Sequence, residues 1–232
     1  MFFWDPMYFI FVLPALLLAM WAQMRVRSAY GRYLRVANER GITGLQAAEQ
    51  LLREQGLGHV SIEGTPGELT DHYDPRSKTL HLSRGVANSR SVAALGIVAH
   101  EVGHAMQDYT NYGPLKLRSG IVPMVTVSSY LGPILFMVGL LFQSMGLAWL
   151  GVLLFSASAF FALLTLPVER NASRRALQML HTNGLVISQE EAVGARRVLD
   201  AAALTYVAAL LQVLSTLLYY VFLLTGFSRR RD

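Results

Sequence analysis

Four long apolar runs constrain this chain more than any other feature. They cover Met7 to Met24, Ile121 to Phe142, Met145 to Leu166 and Leu204 to Phe227. As helices rising about 1.5 Å per residue, each is long enough to cross a hydrocarbon core about 30 Å thick. In lipid, a lone spanning segment must satisfy its own backbone, which leaves the helix as its form. Hydrophobic residues make up 53% of the chain and charged residues only 15%. That is too apolar for an average soluble domain, and the excess sits in these runs. Pro14, Pro123 and Pro133 fall within or at the ends of them. Neighbouring helices can satisfy the carbonyls that such prolines release. The first run lacks a basic start and leads into Arg25 and Arg27 rather than a small-residue cleavage site. It reads as a retained anchor, not a signal peptide.

The runs divide the chain into an anchor (1–24), a hydrophilic stretch (25–120), a membrane hairpin (121–166), a second hydrophilic stretch (167–203) and a last span with a basic tail (204–232). Two crossings return the chain to the side it left, so both hydrophilic stretches lie on one face. Of 20 basic residues, twelve lie in 25–120 and five in 167–203. The positive-inside rule assigns that face to the cytoplasm. Four crossings put the tail arginines 229–231 on the other side, against the rule; either the tail is a tolerated exception or the fourth run does not fully cross, and the larger count decides the assignment. Trp4, Trp21, Tyr219 and Tyr220 are expected as interface anchors. The net charge of +5 is thus read as a topology signal. No basic stretch is interleaved with stacking aromatics, so no nucleic-acid partner is expected. The chain has no cysteine, which excludes disulfides, iron–sulfur clusters and thiolate-held zinc.

Within 25–120, Thr43-Gly44-Leu45-Gln46 is a capping-box pattern that opens a helix over 44–55. His59 to Glu63 reads as a strand. Leu69 to Asp74 and Lys78 to Leu82 read as a hairpin around Asp74-Pro75-Arg76-Ser77. A helix is expected over 91–108. Pro167 suits the first turn of another, ending at Asn183-Gly184. Ser188-Gln189-Glu190-Glu191 is a second capping box, opening a helix that runs towards the fourth apolar run.

The helix over 91–108 carries His100-Glu101-Val102-Gly103-His104. Residues four apart on a helix project from one face, so both imidazoles can reach one zinc ion. Glu101 between them is placed to take a proton from water. Catalytic zinc usually has three protein ligands. No histidine follows at the short spacing, since 105–110 reads Ala-Met-Gln-Asp-Tyr-Thr. Glu169 is the better third ligand, because it follows the third apolar run directly and is an isolated acid in that region. Its competing explanation is a favourable place at the positive end of a helix dipole. His72 and His81 could orient a zinc histidine or hold a second metal. An ordinary surface or core role is the commoner fate of such histidines. Tyr73, Tyr109, His181 and Arg174 are donors that could stabilise an oxyanion. The hairpin over 69–82 could hold a substrate extended along its edge, or simply pack on the helix.

Four segments carry a family resemblance. Pro167-Val168-Glu169-Arg170-Asn171-Ala172-Ser173-Arg174-Arg175-Ala176, His100 to Gln107 and Leu69 to Pro75 resemble the YugP-type neutral zinc metallopeptidases, as does Ala201 to Ala209. The likeness covers nearly the whole chain. It implies a bacterial membrane-anchored peptidase, distantly similar to the HtpX-type and CAAX-prenyl zinc proteases. The implied fold is a mainly α membrane protein with about four transmembrane helices. A small gluzincin-like α+β part would be formed from the two hydrophilic stretches. Carried over, His100, His104 and Glu169 hold one zinc ion and Glu101 is the base. In those relatives an aspartate often stands four residues after the glutamate ligand and supports a zinc histidine. Here Ser173 stands in that place, which leaves Ser173 and Asn171 as supporting candidates.

The implied partners are the lipid bilayer and a peptide or membrane-protein substrate. No motif names a homo-oligomer or a regulatory partner. Two rivals remain. An intramembrane protease is disfavoured because the apolar lead to the motif, Val92 to Ala99, is too short to span. A silent scaffold that keeps zinc for structure is disfavoured by Glu101, for which it has no use.

Overall fold

The computed structural model describes residues 6–228. Trp4 and the tail arginines 229–231 lie outside the described residues. Ten elements follow one another: α1 (Pro6–Tyr33), α2 (Gly44–Glu54), β1 (Ser61–Thr65), β2 (His72–Asp74), β3 (Thr79–Ser83), α3 (Arg84–Ala87), α4 (Val92–Tyr109), α5 (Gly113–Leu141), α6 (Met145–Thr182) and α7 (Gln189–Ser228). Four of them, α1, α5, α6 and α7, are long and apolar enough to cross a membrane. The protein is a mainly α membrane protein with a small α+β part.

The chain divides into two compact units. The first comprises residues 1–23, 117–166 and 204–232, and the second 24–116 and 167–203. In the first unit α5 and α6 approach closely through small residues. A Cβ added at Gly139 would stand 2.4 Å from the Ala148 backbone nitrogen. Lipid tails are as apolar as the side chains, so such close packing, rather than hydrophobic burial, holds membrane helices together. Phe136 is buried here and stacks on Tyr220 with ring centroids 3.9 Å apart. Tyr219 is also buried, with its ring 5.2 Å from that of Tyr8. Both tyrosines thus pack against other helices, and Trp21 is exposed.

The second unit has a conventional apolar core. Ala47, Ala48 and Leu51 of α2, Leu80 and Leu82 of β3, and Leu95, Val98, Ala99 and Val102 of α4 are all buried in it. Residues of the later stretch, Ala176, Leu180, Leu185 and Leu199, join the same core. The two hydrophilic stretches therefore form one folded body. The capping boxes expected from sequence are present. Thr43 Oγ1 accepts from the Gln46 N–H, and the Gln46 side chain accepts from the Thr43 N–H. At the start of α7, Glu191 accepts from the Ser188 N–H and donates its own N–H to Ser188 Oγ.

The sheet runs β1-β3-β2. β2 and β3 form the expected hairpin, antiparallel, with His72 opposite His81 and Tyr73 opposite Leu80. Asp74 shapes its turn by accepting from the Arg76 N–H and the Ser77 hydroxyl. β1 instead pairs parallel with β3, from Ser61 opposite Thr79 to Thr65 opposite Ser83. β3 is the central strand, and four of its five residues are buried.

One expectation needs correction. Pro167 does not open a helix; it lies inside α6, which runs unbroken from Met145 to Thr182. Proline within a helix costs roughly 3 kcal/mol through a lost hydrogen bond and a clash. Beyond it, Val168, Ala172, Ala176 and Leu180 are buried at helical spacing, and their packing supplies the compensating stabilisation. Glu169 is consequently in mid-helix, where a helix-dipole explanation has no purchase.

Candidate metal centre

Two helices of the second unit build the site. Ser91 caps α4, its hydroxyl accepting from the Ala94 N–H. α4 is buried along most of its length, and it carries His100, Glu101 and His104. α6 carries Glu169, Asn171 and Ser173. The helices touch at Gly103, where an added Cβ would stand 2.7 Å from the Ala172 carbonyl oxygen. Any side chain at 103 would push α6, and with it Glu169, away from the histidines.

His100 Nε2 lies 3.2 Å from Glu169 Oε2, and His104 Nε2 lies 3.5 Å from the same oxygen. One ligand atom from each of these three residues falls within 4.8 Å of the others. The imidazoles meet edge to face, their centroids 4.8 Å apart. Among the described residues this is the one cluster of histidine and carboxylate groups close enough to share an ion.

Electrostatics favour a cation at its centre. Burial alone would push the Glu169 carboxyl up, but hydrogen bonds from His100 and His104 outweigh it and hold the group well below the usual carboxylate range. Burial would likewise lower His104, yet the Glu169 hydrogen bond and the Glu101 and Glu169 charges raise it. The Glu101 carboxyl is pushed up, chiefly by burial. The ionised Glu169 thus favours positive charge beside the imidazoles, and a divalent ion supplies it as a proton does. Two imidazole nitrogens and a carboxylate oxygen form the donor set of catalytic zinc sites with a vacant fourth position. The residues fit zinc.

The supporting contacts are specific. Ser173 Oγ lies 3.2 Å from His100 Nδ1. Gln107 Oε1 lies 3.0 Å from His104 Nδ1. Asn171 reaches the site only through Gln107, whose Nε2 donates to Asn171 Oδ1 at 3.0 Å. Gln107 is fully buried and was not singled out from sequence. Its signal was its place three residues after His104 on the same helix face.

Glu101 meets the sheet rather than the three clustered side chains. The Tyr73 backbone N–H, on β2, donates to Glu101 Oε2 at 3.1 Å. The Tyr73 hydroxyl donates to Asp108 Oδ2 at 2.7 Å, and Lys78 Nζ reaches that same oxygen. Asp108 thereby clamps the hairpin to the end of α4. Burial, then Asp108, raises the Tyr73 phenol above its usual range, so it stays protonated and committed to that bond.

The remaining candidates stand apart. His72 lies on the exposed side of the sheet, its ring stacked on His81 with centroids 4.6 Å apart. His181 is twelve residues beyond Glu169 on α6, about 18 Å along the axis. It lines a separate cavity of about 200 Å³ with Leu177, Val186 and Arg196. Tyr109 and Arg174 are exposed.

A family model described as "Putative neutral zinc metallopeptidase" matches residues 8–225. The chain belongs to this zinc metallopeptidase family. It is similar to the "Putative membrane protease YugP" of Bacillus subtilis (strain 168). The two are 46% identical over 216 residues, which cover 93% of this chain and 96% of that protein. No solved structure matches. Family membership and four apolar helices together describe an integral membrane protein of a zinc peptidase family.

Proposed function

We propose that the protein is a membrane-anchored zinc metalloendopeptidase. His100, His104 and Glu169 hold the ion, and Glu101 is the general base. The observation that carries this reading is the convergence of His100 Nε2, His104 Nε2 and a Glu169 oxygen within 4.8 Å. Zinc bound there would supply Lewis-acid charge, which lowers the pKa of water to about 7 and stabilises a developing oxyanion. Glu101 takes the proton of the attacking water and returns it to the leaving amine nitrogen. The Tyr73 N–H holds Glu101 Oε2, which orients the carboxylate and leaves Oε1 for the proton. Burial raises the affinity of Glu101 for that proton, as a base working near neutral pH requires.

Substrates of this reading are membrane or membrane-near proteins, cleaved for quality control or processing. Glu169 lies only three residues beyond the apolar run ending at Leu166, on one continuous helix. The positive-inside count assigns the site to the cytoplasmic face of a bacterial inner membrane. The rival, a silent zinc scaffold, makes no use of Glu101.

The test is zinc content and peptide-bond cleavage of detergent-purified protein. The expected result is about one zinc per chain in wild type, lost in Glu169→Ala and kept in Glu101→Gln. Cleavage should fall roughly 10²–10⁴-fold in Glu101→Gln. Unchanged cleavage in that variant would remove Glu101 from the mechanism. Zinc retained in Glu169→Ala would move the third ligand elsewhere.

A further inference from the structure

His104 sits at the end of a hydrogen-bond chain whose direction is forced by donor and acceptor chemistry. Arg175 Nε, on α6, lies 2.9 Å from Asn171 Oδ1. A guanidinium can only donate, so the amide atom facing it must be oxygen. That oxygen also receives Gln107 Nε2 at 3.0 Å. The same Gln107 nitrogen donates to the Val168 carbonyl at 2.8 Å, and a carbonyl can only accept. Both contacts fix the Gln107 amino group towards α6. Its Oε1 is therefore the atom 3.0 Å from His104 Nδ1. An oxygen there accepts, so Nδ1 carries a proton, and the neutral imidazole keeps its lone pair on Nε2, on the side of Glu169. Gln107 is fully buried. A flipped amide would set like groups against each other with no water to repair them. The corresponding contact of His100 is weaker in this respect. A serine hydroxyl can donate or accept, so Ser173 does not dictate a tautomer.

We propose that Gln107, Asn171 and Arg175 form a positioning relay that locks His104 in the tautomer whose Nε2 binds metal. The relay rests on reading His104 as a zinc ligand. Its outer end, Arg175, is half-buried beside an open hollow lined by Gln55, Gln178 and Thr182. Arg175 touches neither the ligands nor Glu101 and acts only through the two amides.

The decisive comparison is between substitutions that keep shape and those that keep acceptors. Asn171→Asp retains an oxygen for both Arg175 and Gln107. Asn171→Leu retains bulk and loses the acceptor. Arg175→Met removes the donor at the half-buried end and leaves the core intact, so it serves if Asn171→Leu fails to fold. The readout is the zinc dissociation constant of the full chain in detergent, by chelator competition. Ring ¹⁵N shifts of the zinc-loaded protein report which His104 nitrogen is protonated.

The relay predicts near wild-type affinity for Asn171→Asp. It predicts affinity roughly 10–100-fold weaker for Asn171→Leu and Arg175→Met, with His104 ring signals split between tautomers. Wild-type affinity and a single tautomer in all three would overturn the relay and leave the zinc site standing. Equal weakening in Asn171→Asp and Asn171→Leu would show a packing role and overturn it too. His104→Ala separates the two ideas: undiminished zinc affinity there sinks the ligand reading itself, and the relay with it.

Discussion

At the scale of single residues, the site depends on polar groups kept in defined states by burial. Asp71 shows the same physics away from the His100–His104–Glu169 cluster. Its Oδ1 accepts from the Ser83 N–H and its Oδ2 from the Ser83 hydroxyl. Burial nevertheless raises its carboxyl above the usual value, against those two bonds. A folded-state pKa above the unfolded value means that the folded form holds the extra proton between the two. The resulting stabilisation is complete below the unfolded value of about 4 and is lost as pH rises through the folded one. The thermal midpoint of wild type relative to Asp71→Asn should therefore fall as pH is raised from about 4. A difference that stays flat across that range would place Asp71 in water. Glu101→Gln belongs to this scale as well, since it changes proton transfer while an oxygen remains for the Tyr73 N–H.

At the scale of elements, the candidate site depends on how closely α4 and α6 approach. Gly103→Ala would set a methyl 2.7 Å from the Ala172 carbonyl. Backbone cannot swing aside as a side chain can, so the helices must part. The expected cost is about 1–3 kcal/mol of stability, with weaker zinc binding because Glu169 recedes. Calorimetry and chelator competition on one preparation would check both, and zinc affinity unchanged despite a lowered midpoint would break the link between them. The N-cap of α4 offers a contrast. Ser91→Ala should cost about 1 kcal/mol in stability and leave zinc affinity as it was, because the Ser91 hydroxyl bonds the Ala94 N–H and the Ser89 hydroxyl, a full nine residues before His100.

At the scale of the whole molecule, the topology is open to direct test because the chain has no cysteine. Single cysteines can be placed at Glu54 and Arg174, both exposed, and at Ser144 in the link between α5 and α6. With the hydrophilic stretches in the cytoplasm, an impermeant thiol reagent added to intact cells should label Ser144→Cys alone. Inverted vesicles should show the reverse. Labelling of Glu54→Cys and Arg174→Cys on opposite sides would contradict a hairpin of two crossings.

Much of this architecture was legible in the chain, because it follows from local rules. Span length, the capping boxes at Thr43 and Ser188, the hairpin turn at Asp74 and the i, i+4 histidines each involve residues close in sequence. Their geometry is set by helix pitch, turn chemistry and the need to satisfy backbone in lipid. Contacts between distant segments were not legible in the same way. The parallel pairing of β1 with β3 depends on which strand the core buries on both sides. The continuation of α6 through Pro167 depends on packing that outweighs a local penalty. The links from Gln107 to Asn171 and from Tyr73 to Glu101 join residues 64 and 28 positions apart. Sequence by itself determined a four-span chain with two histidines and a glutamate poised on one helix. Only the tertiary structure decided that Glu169 meets those histidines and that a buried glutamine orients one of them, because burial and donor–acceptor matching exist only once the helices have packed.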